Sequence, residues 1–146
     1  MWKSILSAIA GLTLFSAQVP AQYQITDLGT LGGTGGFIDT AAYAINESGA
    51  VAGVSLTSDF EYHAFRWQNG NMTDLGVLPG YVPESRGLAI NNLGAVAGIS
   101  GRITITPGGR SGSIEATYWS NGVITDIGRL STGDWDSYVF GMNNQG

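Results

Sequence analysis

The feature that most constrains this chain is that it repeats itself. AYAINESGAVAGVS at 42–55 returns as GLAINNLGAVAGIS at 87–100, and VFGMNNQG at 139–146 matches the first half of both. HAFRWQNGNMTDLGVLPG at 63–80 returns as EATYWSNGVITDIGRLSTG at 115–133, and YQITDLGTLGG at 23–33 matches its second half. Asn46, Asn91 and Asn143 lie 45 and 52 residues apart, and Asp27, Asp74 and Asp126 lie 47 and 52 apart. A period of that length belongs to architectures in which one supersecondary unit packs on copies of itself, propeller blades among them. The second unit is longer because its middle loop, GRITITPGGRSGS at 101–113, is expanded.

Each unit reads as four short strands. In the first, strand a runs from Ala42 to Ile45, b from Ala50 to Leu56, c from Tyr62 to Trp67 and d from Met72 to Leu75. Strands a and b are joined by Asn46 to Gly49, where Asn can bond to the backbone ahead and Gly can take positive φ. Asn91 to Gly94 and Asn143 to Gly146 repeat that turn. Asn69-Gly70 is a hairpin signal between c and d. Side chains alternate across a strand. In strand d, Ile25, Met72 and Ile124 therefore share one face and Leu28, Leu75 and Ile127 the other. In strand c, Trp67 and Trp119 point opposite to Ala64 and Ala116. A sheet with one wet face would alternate apolar with polar, so these sheets read as covered on both sides. Ala52-Gly53 and Ala97-Gly98 in strand b suit a crowded region, as where blades converge on an axis. The expected fold is all-β: four-stranded antiparallel units forming part of a β-propeller, with a β-solenoid or sandwich of the same units as the alternative.

Composition agrees with a turn-rich β protein. Gly accounts for 23 of 146 residues and charged residues for only 12%, while four Trp, six Tyr and five Phe argue against a disordered chain. A net charge of −5 disfavours nucleic acid and acidic membranes as partners. With no cysteine, disulfides, zinc thiolates and lipidated cysteines are excluded.

The first 21 residues read as a signal peptide: Lys3, an apolar run from Ile5 to Ala17, and Val19-Pro20-Ala21 before a cut. That run is shorter than the roughly 18 to 20 residues that span a bilayer, so no membrane span is expected in the mature segment. The remainder, 22–146, divides into a strand d at 23–33, unit one at 42–80, unit two at 87–133 and the start of unit three at 137–146. Two complete units do not close a ring of four to eight blades. The chain is therefore expected to be the N-terminal part of a longer protein whose last blade is completed by Tyr23 to Leu28.

His63-Ala64-Phe65, Asp27-Leu28-Gly29-Thr30-Leu31-Gly32-Gly33, and Asn46, Gly49, Gly53 with Asn91, Gly94, Gly98 together resemble the HAF family of extracellular bacterial repeats. The resemblance covers almost all of residues 23–146. It implies export, a repeated β fold and a place in secreted or surface proteins of bacteria, and it brings no catalytic residues. The second unit departs from the pattern, with Glu115 and Thr117 for His and Phe and Ile127 for Leu. His63 is therefore not read as a required chemical group.

No catalytic, cofactor-binding or metal-ligating residue is assigned. His63 is the only histidine, without the partners that a metal site or nucleophile needs, and is read as packing beside Trp67. Asp27, Asp74 and Asp126 could line a surface or hold calcium, but are read as accepting backbone N–H groups in their turns. Asp134 and Asp136 have the spacing of a calcium loop without its other ligands. LGGTGG at 31–36 lacks the ending and the helix of a phosphate loop, and GGRSGS at 108–113 lacks nucleophile-elbow spacing. Trp135, Tyr138 and Phe140 beside Asp134 and Asp136 could grip a sugar, but read as packing between units. The positions singled out are structural: Asp27, Asp74, Asp126, Asn46, Asn91, Asn143, Gly49, Gly94, Gly146, Trp67 and Trp119.

The function expected is a non-catalytic binding or structural module, secreted or at the cell surface, with the periplasm as another exported address. Its partners would be an extracellular ligand or surface polymer and the remaining blades of the same chain, with loops 56–61 and 101–113 as contact sites. The alternative is the N-terminal part of an extracellular propeller enzyme, a lyase or hydrolase, with its site in other blades.

Overall fold

The computed structural model describes residues 23–36, 38–80, 83–101, 104–131 and 136–145. The expected signal peptide at 1–21, Asp134, Trp135 and Gly146 lie outside them. Among the described residues the chain is all-β, with two antiparallel four-stranded sheets and no helix.

The first sheet is the meander β1 (Thr40–Ile45), β2 (Val51–Leu56), β3 (Tyr62–Gln68) and β4 (Asn71–Gly76), paired in chain order. The second is β5 (Ser85–Ile90), β6 (Val96–Ser100), β9 (Glu115–Ser120) and β10 (Val123–Asp126), also in chain order. Between β6 and β9 a small hairpin, β7 (Thr104–Thr106) with β8 (Gly109–Ser111), accounts for the longer second unit.

The registers of the two units correspond. Val51 faces Trp67 in the first, and Val96 faces Trp119 in the second. Both first strands carry a bulge at the same place, between Ala42 and Ala44 and between Gly87 and Ala89. The bulge explains the strand-b glycines. A Cβ on Gly53 would stand 2.0 Å from the Ala41 carbonyl oxygen, and one on Gly98 1.9 Å from that of Arg86. Their crowding thus arises from the neighbouring strand of the same sheet, which corrects the expectation that converging units cause it.

The turns follow the sequence chemistry. Asn46 Oδ1 accepts the N–H groups of Ser48 at 3.1 Å and Ala50 at 2.9 Å, and Asn91 Oδ1 those of Leu93 at 3.1 Å and Ala95 at 2.9 Å. Asn143 Oδ1 accepts from Gln145 at 2.9 Å. Asn69 with Gly70, and Asn121 with Gly122, all have positive φ, the backbone of a hairpin turn matched to strand twist.

The sheets pack face to face, β5 lying against β1, β2 and β3. Ala52 and Ala64 of the first sheet meet Val96 and Trp119 of the second, flanked by Leu75, Ile90 and Ile124. Trp119 and Ala64 occupy corresponding strands but opposite faces, so the Trp face of one unit covers the Ala face of the other. Every residue of β2 is buried.

Two expected strands do not form. Residues 23–30 make no ladder, and Tyr23 and Ile25 are 93% and 97% exposed. Among the described residues no strand runs beside this segment to take its hydrogen bonds. Only Leu31 and Gly32 bridge, to Thr57, and the Gly33 N–H bonds to the Leu56 carbonyl. Residues 137–145 likewise form no strand, although Ser137 N–H donates to the Ile114 carbonyl at 2.9 Å. Ile127, expected inside a sheet, follows β10 and is exposed.

Candidate functional site: the cleft between units

The two sheets close on each other incompletely and leave a cleft of about 370 Å³. Its walls come from β3 and β4 of the first unit and from the turns and strands around Trp119 in the second. Alternation decides which side chains enter. Arg66 lies opposite Ala52 and Thr73, on the face turned toward the second unit. Its guanidinium runs against the turn at Gly94, where an added Cβ would stand 2.8 Å from Nη2. Arg66 Nη2 donates to Gln68 Oε1, while Nε is buried without a partner. Trp119, 3% exposed, packs in the inter-unit core, and its indole Nε1 is also buried without a partner. Trp67, its counterpart in the first unit, is only half-buried.

Asp74 is among the residues around the cleft, but it pairs with Phe65 while Thr73 pairs with Arg66, so its side chain lies on the other face of the sheet, where it meets His63. His63 Nδ1 stands 2.8 Å from Asp74 Oδ2 and 3.0 Å from Oδ1, and Nε2 lies 3.6 Å from Glu61 Oε2. His63 thus pairs with carboxylates, where the sequence suggested simple packing beside Trp67. The bond to Asp74 lifts the His63 pKa above 6.5; burial opposes this, and the charges of Asp74 and Glu61 add to the rise. For Asp74, burial pushes the pKa upward, but the bonds from His63 and from the Gly76 N–H outweigh it and leave it lowered.

In the second unit, Glu115 takes the place of His63. It is fully buried and accepts from Arg129 Nε at 2.9 Å and from Ser113 Oγ at 3.0 Å, and Arg129 Nη2 pairs with its other oxygen. One unit therefore sets an imidazole on strand c against a carboxylate, and the other sets a carboxylate on strand c against a guanidinium.

The remaining sequence-derived positions fall at unit boundaries or in local turns. Asp27, Asp74 and Asp126 each accept the N–H of the glycine two residues on, at 2.9, 2.7 and 2.7 Å. Asn46 Nδ2 reaches across to the Asn91 carbonyl at 2.8 Å. Tyr138 and Phe140 stack on each other at 6.3 Å but are 48% and 92% exposed, so they do not pack between units as the sequence suggested. Among the described residues no three His, Asp or Glu side chains gather closely enough to hold a metal ion. Sequence reasoning did not single out Arg66, nor the serines at the unit boundaries. Ser55 recurs as Ser100, and Ser85 as Ser137, so the repeat itself carried that signal.

No family model matches the chain, and neither a curated protein nor a solved structure matches it.

Proposed function

We propose that this chain is part of an exported repeat protein of the HAF type, its units arranged as successive blades of a β-propeller, and that it acts as a non-catalytic binding and structural module. The observation that carries this reading is one boundary chemistry used again and again. Ala64 N–H donates to Ser85 Oγ at 2.8 Å, and Ala116 N–H to Ser137 Oγ at 2.8 Å. Leu31 N–H donates to Ser55 Oγ at 2.9 Å, and Leu78 N–H to Ser100 Oγ at 3.3 Å. Glu47 N–H donates to Asn92 Oδ1 at 3.2 Å, and Asn92 N–H to Asn144 Oδ1 at 2.9 Å. Each pair occupies matching positions at successive boundaries. Such reuse suits a scaffold that stacks like units and presents loops from them.

The β7–β8 hairpin is the loop by which the second unit differs from the first, and it is the proposed contact for a surface polymer. The test mixes the full chain with insoluble polysaccharides and with peptidoglycan sacculi and measures the bound fraction. Saturable retention that disappears when residues 102–112 are deleted is expected. Turnover of a polymer, or no retention on any of them, would overturn the reading.

A further inference from the structure

We propose that Phe60, at the tip of the loop between β2 and β3, is a contact for a neutral polysaccharide. The inference deepens the binding-module reading and rests on it. Among the described residues with positive φ, every one is Gly or Asn except Phe60, at φ 63°. Asn takes the left-handed region readily, as Asn69 and Asn121 do, whereas a bulky side chain there is a genuine outlier. Phe60 is also 73% exposed. An exposed phenyl by itself needs no explanation. An exposed phenyl on a strained backbone carries two costs at one position, and Gly or Asn would remove both.

The loop is held in that conformation from within and from below. Phe60 N–H donates to the Thr57 carbonyl at 3.0 Å, Thr57 N–H to the Glu61 carbonyl at 2.9 Å, and Glu61 N–H to Thr57 Oγ1 at 3.2 Å. Thr57 is 8% exposed and bridges to Leu31 and Gly32. A Cβ on Gly33 would stand 2.3 Å from the Thr57 carbonyl oxygen, so the leading segment lies directly against the base of the loop. Strain of this kind persists only where the surroundings hold it, and it gathers at ligand contacts. A ring held still in this way loses little freedom on binding. The corresponding place in the second unit, between its second and third strands, is taken by the β7–β8 hairpin.

The ligand follows from the neighbours of the ring. Ser58 and Asp59 are exposed, and Glu61, which His63 Nε2 approaches at 3.6 Å, is partly so. They offer carboxylate acceptors and one hydroxyl, with no cation among residues 57–61. Sugar hydroxyls supply the matching donors, while the C–H face of a pyranose lies flat on an aromatic ring. An acidic polymer or an anionic membrane would meet two carboxylates on a chain of net charge −5. A protein partner needs about 800 Å² of surface on each side, and one phenyl supplies roughly 150–250 Å². A neutral polysaccharide is the partner that these groups suit.

The test is electrophoresis of the native full chain through gels containing dextran, hydroxyethyl cellulose, galactomannan or polygalacturonate. At least one neutral polymer should slow the chain saturably, with polygalacturonate roughly tenfold weaker or more. Phe60→Asn should weaken the neutral binding about fivefold or more and raise the melting temperature by about 2–5 °C, because the strain leaves with the ring. Phe60→Trp keeps an aromatic face and should bind within about twofold of the parent. Unchanged binding by Phe60→Asn, or a melting temperature that does not rise, overturns the Phe60 contact and leaves the binding-module reading standing. Stronger retardation by polygalacturonate overturns the neutral class. A chain that no gel slows overturns the proposal, and the polymer-retention experiment then decides the broader reading independently.

Discussion

Asn46 donates its side-chain N–H to the backbone carbonyl of Asn91, 2.8 Å away and 45 residues later in the chain. The same side chain caps its own turn through Oδ1, accepting from Ser48 and Ala50. One amide thus folds a turn with its acceptor and joins two units with its donor. Asn91 is the matching residue of the next unit, so the residue that marks the repeat in the sequence also connects its copies.

Replacing Asn46 with Ala removes both functions. Each net hydrogen bond contributes about 0.5–1.5 kcal/mol, so N46A should lower stability by about 1–3 kcal/mol. Urea unfolding of the variant and the parent checks this. A midpoint unchanged within error would mean that the turns do not couple the units.

The strand-b glycines should be intolerant. Gly98→Ala places a Cβ 1.9 Å from the Arg86 carbonyl oxygen, a contact only backbone movement can relieve. Overpacking of this kind costs about 1–3 kcal/mol or more. Gly141→Ala meets nothing within 4 Å and should stay within about 0.5 kcal/mol of the parent. Thermal unfolding of the two variants side by side separates the bulge constraint from a general preference for glycine.

Arg129→Met leaves the Glu115 carboxylate buried without its cation. Breaking a buried pair from one side costs about 3–5 kcal/mol; because Arg129 is 27% exposed, a loss of about 2–3 kcal/mol is expected here. Adding Glu115→Gln should restore much of that stability. A double variant no more stable than R129M in denaturant titration would show that the stranded charge is not the cause.

The His63–Asp74 pair predicts a pH dependence with two limbs. The folded pKa of His63 is raised, so its contribution is full below 6.5 and is lost as pH rises through the higher folded value. That of Asp74 is lowered, so its contribution is present above 3.8 and is lost as pH falls through the lower folded value. Stability from the pair should therefore peak between about 4 and 6.5. His63→Gln should flatten the alkaline limb. Unfolding midpoints from pH 5 to 8.5 for both proteins test this; parallel curves would exclude the pair as the source.

Much of the fold was legible because its signals are local. Asn-Gly at 69–70 and 121–122 forms the same turn wherever alternating apolar residues flank it, and the eight strands of the two sheets follow the strand readings closely. Tyr23 to Leu28 carries the same letters as a strand, yet forms none. A strand is defined by its partner, and pairing is a property of what lies alongside. The site was less legible for a related reason. Arg66 sits within HAFRW as one polar residue in a strand, and only the packing of the second unit against its face turns it into a wall of the cleft.

What the sequence by itself determined is the repeat: unit length, turn chemistry, alternation of faces, and the serine and asparagine positions that recur with it. These follow from backbone conformational preference and from the two-residue period of a strand. Tertiary structure decided which face covers which, that the glycines answer to a bulge, and that His63 meets Asp74 while Glu115 meets Arg129. Those outcomes depend on distances between residues far apart in the chain, which no local pattern encodes.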